Sequence, residues 1–370
     1  MVLLLQATNI PMKLFQAQNK ITLISRQSDE VPVDFMLVCN YLNQSRADIK
    51  VQILTKKLDT RSLRTILYPF HMLRQMYHIS TSKVVLLDGY CIVASVLKHK
   101  AETKVIQMWH ATSAIKKFGW QTIGWPGGSS LDTATIMNMH GNYDYVLAPS
   151  KKTGKIYQEA FRVTEDKIIY FGLPHLSQLR QTNPAALNEI RERYAIDPTK
   201  KVILYVPTFR DGKCIDLEGL TNAIDFERYE LVVKIHPIDT LPPHDDSVVY
   251  AREYTTQLWM QLADAIITDY SSLMVEAAIL HKPLFLYVYD LEEYRSDTGL
   301  NVDFRQEQIA PVVFEDAAAL VGNLDSPYDY AMLARFLEEY IEIDVSNSTR
   351  DFCEFIIHLM NGVTVDEEKN

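Results

Sequence analysis

Short apolar runs alternate along this chain with longer stretches in which apolar positions recur every three or four residues. Runs at 20–25, 50–54, 84–87, 105–108, 145–148 and 168–171 form one series, and runs at 202–206, 231–235, 265–268 and 283–287 form a second. Strands that alternate with helical stretches in this way predict parallel sheets covered by helices. Between the two series lies Gly172-Leu173-Pro174-His175, followed by Gln181-Thr182-Asn183-Pro184, a linker and helix start that set a boundary near 175–185. The expectation is therefore two α/β domains, 1–180 and 181–345, with 346–370 as a closing helix and tail. Residues 328–340 and 348–360 read as helix, and by analogy with other two-domain folds the last helix crosses back to the first domain.

With 370 residues, the chain can bury two cores, and 47% hydrophobic against 23% charged residues is a globular balance. The net charge of −10 argues against a general nucleic-acid binder, since affinity for phosphate backbones rests on Lys and Arg. Charge is unevenly spread: residues 46–104 hold eleven Lys/Arg against four Asp/Glu, an excess of seven, while the C-terminal part is acidic. Cys39, Cys91, Cys214 and Cys353 are scattered without ligand spacing, which fits a reduced compartment without structural zinc. No run of about 18 apolar residues occurs, so any membrane contact is expected to be peripheral. The apolar start Met1-Val2-Leu3-Leu4-Leu5 lacks the basic leader and cleavage site of a signal peptide.

Chemistry-bearing residues gather at the carboxyl ends of the expected strands, where open α/β sheets bind ligands. After 105–108 comes Trp109-His110-Ala111-Thr112-Ser113-Ala114-Ile115-Lys116-Lys117-Phe118-Gly119. Imidazole suits proton abstraction near neutral pH, and Lys116 and Lys117 suit an anionic substrate. Asp88, at the end of 84–87, is a rival base or an orienting partner for His110, and a turn aspartate is the plainer alternative. After 202–206 come Thr208 and Arg210, whose guanidinium suits phosphate oxygens; at the end of 231–235 come Lys234 and His236. Asp269-Tyr270-Ser271-Ser272 turns from a strand into a helix, where Ser271 or Ser272 caps free amides suited to a phosphate, and Glu276 lies one turn on, placed for ribose hydroxyls. An ordinary capped helix has the same pattern.

The stretch 56–77 interleaves basic, aromatic and aliphatic residues. Arg61, Arg64, Phe70 and Arg74 suit an anionic membrane surface, and a core helix with a basic outer face is the alternative; Pro69 bends or interrupts any helix here. Gly124-Trp125-Pro126-Gly127-Gly128 has no following Gly-Lys-Ser/Thr, so ATP chemistry is unsupported, and no pattern calls for a metal or cofactor.

Together, Trp109-His110 through Gly119, Pro207-Thr208-Phe209-Arg210, Lys234-Ile235-His236-Pro237 and Thr268-Asp269-Tyr270-Ser271-Ser272 resemble the CDP-glycerol glycerophosphotransferase family of wall teichoic acid synthesis, over about residues 80–310. The resemblance implies a GT-B-like fold, two Rossmann-like domains with parallel sheets facing a central cleft. It implies CDP-glycerol as substrate, no cofactor, and a peripheral enzyme on the cytoplasmic face of the membrane, with other teichoic acid enzymes as partners. By motif position, His110 corresponds to the family's base and His236 to the histidine at the donor diphosphate. Thr208, Arg210, Lys234, Asp269, Ser271, Ser272 and Glu276 fall on the donor side, and Lys116 and Lys117 on the acceptor side. Family polymerases usually read Trp-His-Gly-Thr-Pro at the first motif; the Ala111 to Ile115 interior here is more like the primase branch, which adds the first glycerol phosphate to undecaprenyl-diphosphate-linked ManNAc-GlcNAc. A polymerase of the same family, a glycosyltransferase using a UDP-sugar, and an inactive membrane scaffold remain alternatives.

Overall fold

The computed structural model describes residues 2–57, 68–210, 215–235 and 244–362. Packing divides the chain into two units: Met1–Ala111, Lys117–Gln178 and Ile341–Asn370 form the first, and Thr112–Lys116 and Leu179–Tyr340 the second.

In the first unit, strands β1 (Gln18–Ser25), β2 (Lys50–Thr55), β3 (Ser82–Leu87), β4 (Lys104–Gln107), β5 (Tyr145–Ala148) and β6 (Ile168–Tyr170) pair in parallel in the order β2-β1-β3-β4-β5-β6. Helices α1 (Val2–Met12), α2 (Val33–Ser45), α3 (Tyr68–Ser80), α4 (Ile92–Val96), α5 (Leu131–Ile136) and α6 (Lys151–Phe161) connect or precede them. Val84, Val85, Leu86 and Leu87 are all inaccessible, which requires cover on both faces of the sheet and explains the unbroken apolar run. Ser150 accepts from the Thr153 amide to cap α6. Pro69 sits in the first turn of α3, where its missing N–H is not needed, so it opens the helix instead of breaking it.

The second unit holds α7 (Pro184–Arg193), β7 (Lys201–Tyr205), α8 (Leu217–Ala223), β8 (Tyr229–Val233), β9 (Val249–Tyr250), α9 (Thr256–Leu262), β10 (Ala265–Thr268), α10 (Leu273–Ile279), β11 (Leu284–Tyr287), α11 (Leu291–Asp297), β12 (Val313–Phe314), α12 (Ala317–Asn323) and α13 (Tyr330–Tyr340). Its parallel sheet runs β12-β11-β10-β7-β8-β9. This is the strand order of dinucleotide-binding sheets, with the first strand central. Asn183 caps α7 with Pro184 at its first position, and Thr255 caps α9.

The last helix, α14 (Ser348–Met360), belongs to the first unit. It lays Phe352 and Phe355 against Phe171, sets Phe355 edge-on to Tyr145, and accepts from Lys83 Nζ at the Met360 carbonyl. The expected boundaries after 180 and 345 fall after 178 and 340, and 112–116, expected in the N-terminal domain, packs with the second unit.

Candidate active site

In the first unit, β1 and β3 are neighbours from which the chain departs in opposite directions, with β2 on one side and β4 on the other. Such a switch point opens a crevice at the carboxyl ends of the strands. Gln27, Asp88 and His110 follow β1, β3 and β4 to this place. His110 Nδ1 lies 2.8 Å from the Asp88 main-chain carbonyl and 3.2 Å from the Gln27 amide nitrogen. The two contacts ask for opposite tautomers, since a carbonyl oxygen only accepts and an amide nitrogen only donates; the shorter, to the Asp88 carbonyl, puts the proton on Nδ1 and leaves Nε2 its lone pair. His110 has an exposed edge, yet the protein packed around it displaces enough water to hold its pKa below the ordinary 6.5. The imidazole is thus neutral at pH 7.

Its placement depends on the preceding residue. Trp109 adopts a left-handed conformation, φ 60°, and its N–H donates to Gln107 Oε1 at 2.9 Å. The Gln107 amide in turn donates to the Gly89 carbonyl and to the Tyr143 hydroxyl, both at 3.0 Å. The Trp109 ring stacks on His110 and Phe118 with centroids at 4.3 and 4.6 Å. Phe118 reaches that stack because Gly119 takes φ +57°, where a Cβ would lie 2.3 Å from the Ala160 carbonyl oxygen. Asp88 is 5% exposed, with one carboxyl oxygen unpartnered, and burial lifts its pKa to about 6. It orients His110 through its carbonyl, not through the carboxylate, which no hydrogen bond links to the ring.

In the second unit, the switch point lies between β7 and β10. Asp269, wholly buried after β10, accepts from the Thr208 N–H at 2.9 Å, the Thr208 hydroxyl, the Tyr270 N–H at 2.7 Å and Arg210 Nη2 at 2.9 Å. Arg210 also donates from Nε to Asp290 at 2.8 Å and from Nη1 to the Thr208 carbonyl at 2.8 Å. Expected as a phosphate ligand, Arg210 instead clamps two strand-end loops with its fork. Lys234 likewise donates to the carbonyls of Ala251 and Tyr254, at 3.2 and 2.9 Å, tying down the end of β8. Glu276, expected at a ribose, accepts from the Thr112 hydroxyl at 3.0 Å and so moors the 112–116 segment.

That segment delivers Lys116. Asn301 donates its N–H to the Ile115 carbonyl and its side-chain amide to the Lys116 carbonyl, both at 2.8 Å. The Lys116 ammonium has no hydrogen-bond partner among the described residues. It lies 5.9 Å from the Tyr294 ring centroid, and burial pushes its pKa down to about 8. It lines a cavity of about 710 Å³ with Thr208, Phe209, Lys234, Tyr250, Arg252 and Ser271, and a second of about 330 Å³ beside Arg210 and Asp290. The larger falls within the range of nucleotide and cofactor sites.

Lys116, expected on the acceptor side, packs with the second unit, and its neighbour Lys117 packs in the first unit with its ammonium 5.3 Å from the Trp125 ring centroid. Ser271 accepts from the Leu273 N–H at 3.3 Å, whereas Ser272, at the N-cap position of α10, makes no capping bond. Phe70, 69% exposed, and exposed Arg74 lie on α3. His236, Arg61 and Arg64 lie outside the described residues. Gln107, Asp290 and Asn301 were not singled out from the sequence. Gln107, the polar member of an apolar strand, and Asp290, which follows β11 as Asp269 follows β10, carried a signal; Asn301 carried none.

A family model described as CDP-Glycerol:Poly(glycerophosphate) glycerophosphotransferase matches residues 7–358. The chain is 29% identical over 354 residues to a teichoic acid ribitol-phosphate primase of Bacillus spizizenii, covering 91% of this chain and 90% of that one. It is 29% identical over 304 residues to a teichoic acid glycerol-phosphate primase of Bacillus subtilis, covering 79% and 78%. Among solved structures, the wall teichoic acid polymerase TagF superimposes with a TM-score of 0.72 at 18% identity, covering 96% of this chain and 93% of that one. That likeness is one of fold, the GT-B-like pairing of two parallel-sheet units.

Arg210→Met leaves Asp269 and Asp290 without their buried cation, and side-chain exposures of 0% and 13% leave little solvent to compensate. The expected loss is about 3–5 kcal/mol, read from urea unfolding. An unchanged midpoint would show that the clamp is not structural.

Proposed function

The chain belongs to the CDP-glycerol:poly(glycerophosphate) glycerophosphotransferase family, and we propose that within it the protein acts as a primase. In this reading it moves one glycerol phosphate from CDP-glycerol to the ManNAc hydroxyl of undecaprenyl-diphosphate-linked ManNAc-GlcNAc and releases CMP. Family membership makes it a transferase of teichoic acid synthesis. The primase step is supported by the long matches to two primases. The observation that carries the chemistry is Lys116, a cation without a hydrogen-bonding partner among the described residues, facing a nucleotide-sized cavity at a switch point.

His110 Nε2, left unprotonated by the Nδ1 bond to Asp88, takes the proton of the acceptor hydroxyl as that oxygen bonds to the β-phosphorus of the donor. The bond from that phosphorus to the bridging oxygen breaks, and CMP leaves with the electron pair. Lys116 offsets the charge on the diphosphate, and the resemblance assigns His236 to the same group. Ribitol phosphate as the transferred unit is the second reading, favoured by the match to a ribitol-phosphate primase over nine-tenths of both chains.

The reading also docks the protein on the cytoplasmic leaflet. No helix among the described residues is long and apolar enough to cross a membrane. On α1, however, Leu3, Leu4 and Ile10 are 81%, 71% and 71% exposed, and Phe70 and Leu73 on the adjoining α3 are exposed too. Lys13 directly follows α1 and Arg74 lies on α3, so apolar side chains and cations fit an anionic bilayer surface together.

Three outcomes test this reading. With CDP-glycerol and a synthetic lipid-linked disaccharide, mass spectrometry should count one added unit; His110→Ala should cut transfer about 10²–10⁴-fold with CMP affinity kept, while a ladder of units or UDP release from UDP-sugars would overturn it. The pH profile of kcat/KM should be bell-shaped. His110 must be neutral, so the rate falls in acid below its ordinary 6.5, and Lys116 must be charged, so it falls above about 8; Lys116→Gln should abolish the alkaline limb. Finally, Leu3→Glu with Leu4→Glu should release the protein from anionic vesicles without slowing transfer to a water-soluble acceptor; equal sedimentation of variant and parent would count against this docking face.

A further inference from the structure

We infer that the smaller cavity of the second unit is the polyol subsite of the donor, and that Glu293 and Asp297 read the polyol hydroxyls. This rests on the transferase reading and names the part of the donor that it leaves open. The two cavities share Lys116 and Phe209 as a wall. A ligand whose anionic middle is held at that wall would have one end in about 710 Å³ and the other in about 330 Å³. The first volume suits a nucleotide, and the second, at the bottom of the usual range for ligand sites, suits a smaller group.

The walls of the smaller cavity specify what that group is. Glu293 and Asp297 are four residues apart on α11, so their carboxylates share one helix face, and both line the cavity. Carboxylates only accept hydrogen bonds, so they select a group rich in O–H donors. Asp290 is paired with Arg210 in the same lining, so Glu293 and Asp297 are the carboxylates that disfavour phosphate here and orient the donor with its diphosphate toward Lys116. The floor is the Tyr294 ring, fixed by stacking on Tyr270 at 3.9 Å and 16°, a flat apolar face for the carbon chain of a polyol. Thr298 completes the rim and can both donate and accept. An independent observation points to a ligand at the same place: the Lys116 ammonium at the shared wall lacks a hydrogen-bond partner among the described residues, and burial lowers its pKa to about 8. That is the state of a cation whose counter-ion arrives with the substrate.

The test uses the full-length protein with Glu293→Ala and Asp297→Ala, both exposed positions where folding is little affected. Affinities for CMP, CDP-glycerol and CDP-ribitol are measured alongside transfer to the lipid-linked acceptor. CMP affinity should stay within about twofold, while affinity for at least one CDP-polyol falls about tenfold or more, as expected for a lost charge-assisted hydrogen bond. The ratio between CDP-glycerol and CDP-ribitol should shift as well. If the parent transfers a polyol phosphate but the variants lose CMP and CDP-polyol affinity equally, or lose neither, the polyol subsite is overturned and the transferase reading stands. If the parent transfers from neither CDP-polyol, both fall.

Discussion

The second unit is organised around one buried carboxylate. Asp269 has no solvent contact, and it receives hydrogen bonds from two main-chain amides, a hydroxyl and a guanidinium. Taking a carboxylate out of water costs several kcal/mol, and attraction to a single cation seldom repays that. Here the repayment is spread over donors from two loops, those after β7 and β10, so neither loop can move without exposing an unmet charge. Arg210 extends the lock to a third loop through Asp290, which the Tyr270 hydroxyl also reaches at 2.9 Å. The wall of the nucleotide-sized cavity is therefore rigid because the charges of Asp269, Arg210 and Asp290 are satisfied internally, while the Lys116 ammonium has no hydrogen-bond partner among the described residues.

The two switch points solve different problems by similar means. In each, neighbouring strands send the chain in opposite directions and leave polar main chain at a crevice. In the first unit that main chain is used directly: the Asp88 carbonyl sets a tautomer, and a buried glutamine, tyrosine and histidine chain holds the turn that presents His110. His140, the end of that chain, accepts at Nδ1 from the Tyr143 hydroxyl at 2.9 Å, and burial lowers its pKa to about 3, so it stays neutral throughout the working range. This network adds no charge beside the imidazole.

Much of this was legible in the sequence, because ten strands carry short, mostly apolar runs and polar residues follow their carboxyl ends. Strands β9 and β12 were not, since two residues at a sheet edge leave no pattern. At the site, position was readable and partnership was not. Arg210, Lys234 and Glu276 were found at strand and helix ends where ligands bind, yet each is engaged by a protein group whose approach depends on tertiary packing: Asp290, the 251–254 carbonyls and Thr112. Lys116 and Lys117 illustrate the same limit, since adjacent residues of one type pack into different units. Pro69, expected to bend or interrupt a helix, instead opens α3, because at a first turn its missing N–H has no intrahelical partner to lose.

The insertion of Thr112–Lys116 into the second unit bears on how such proteins can be divided and recombined. Neither unit is one continuous stretch of chain. A fragment spanning 179–340 would contain both cavities' strand-end loops but not the lysine common to both, and Glu276 and Asn301 would lose the segment they hold. Exchange of the 179–340 segment between relatives by a single crossover at either end would likewise pair one protein's loops with another's lysine segment. The five residues after His110-Ala111 thus travel genetically with the first unit while packing in the second, so the two units must diversify together.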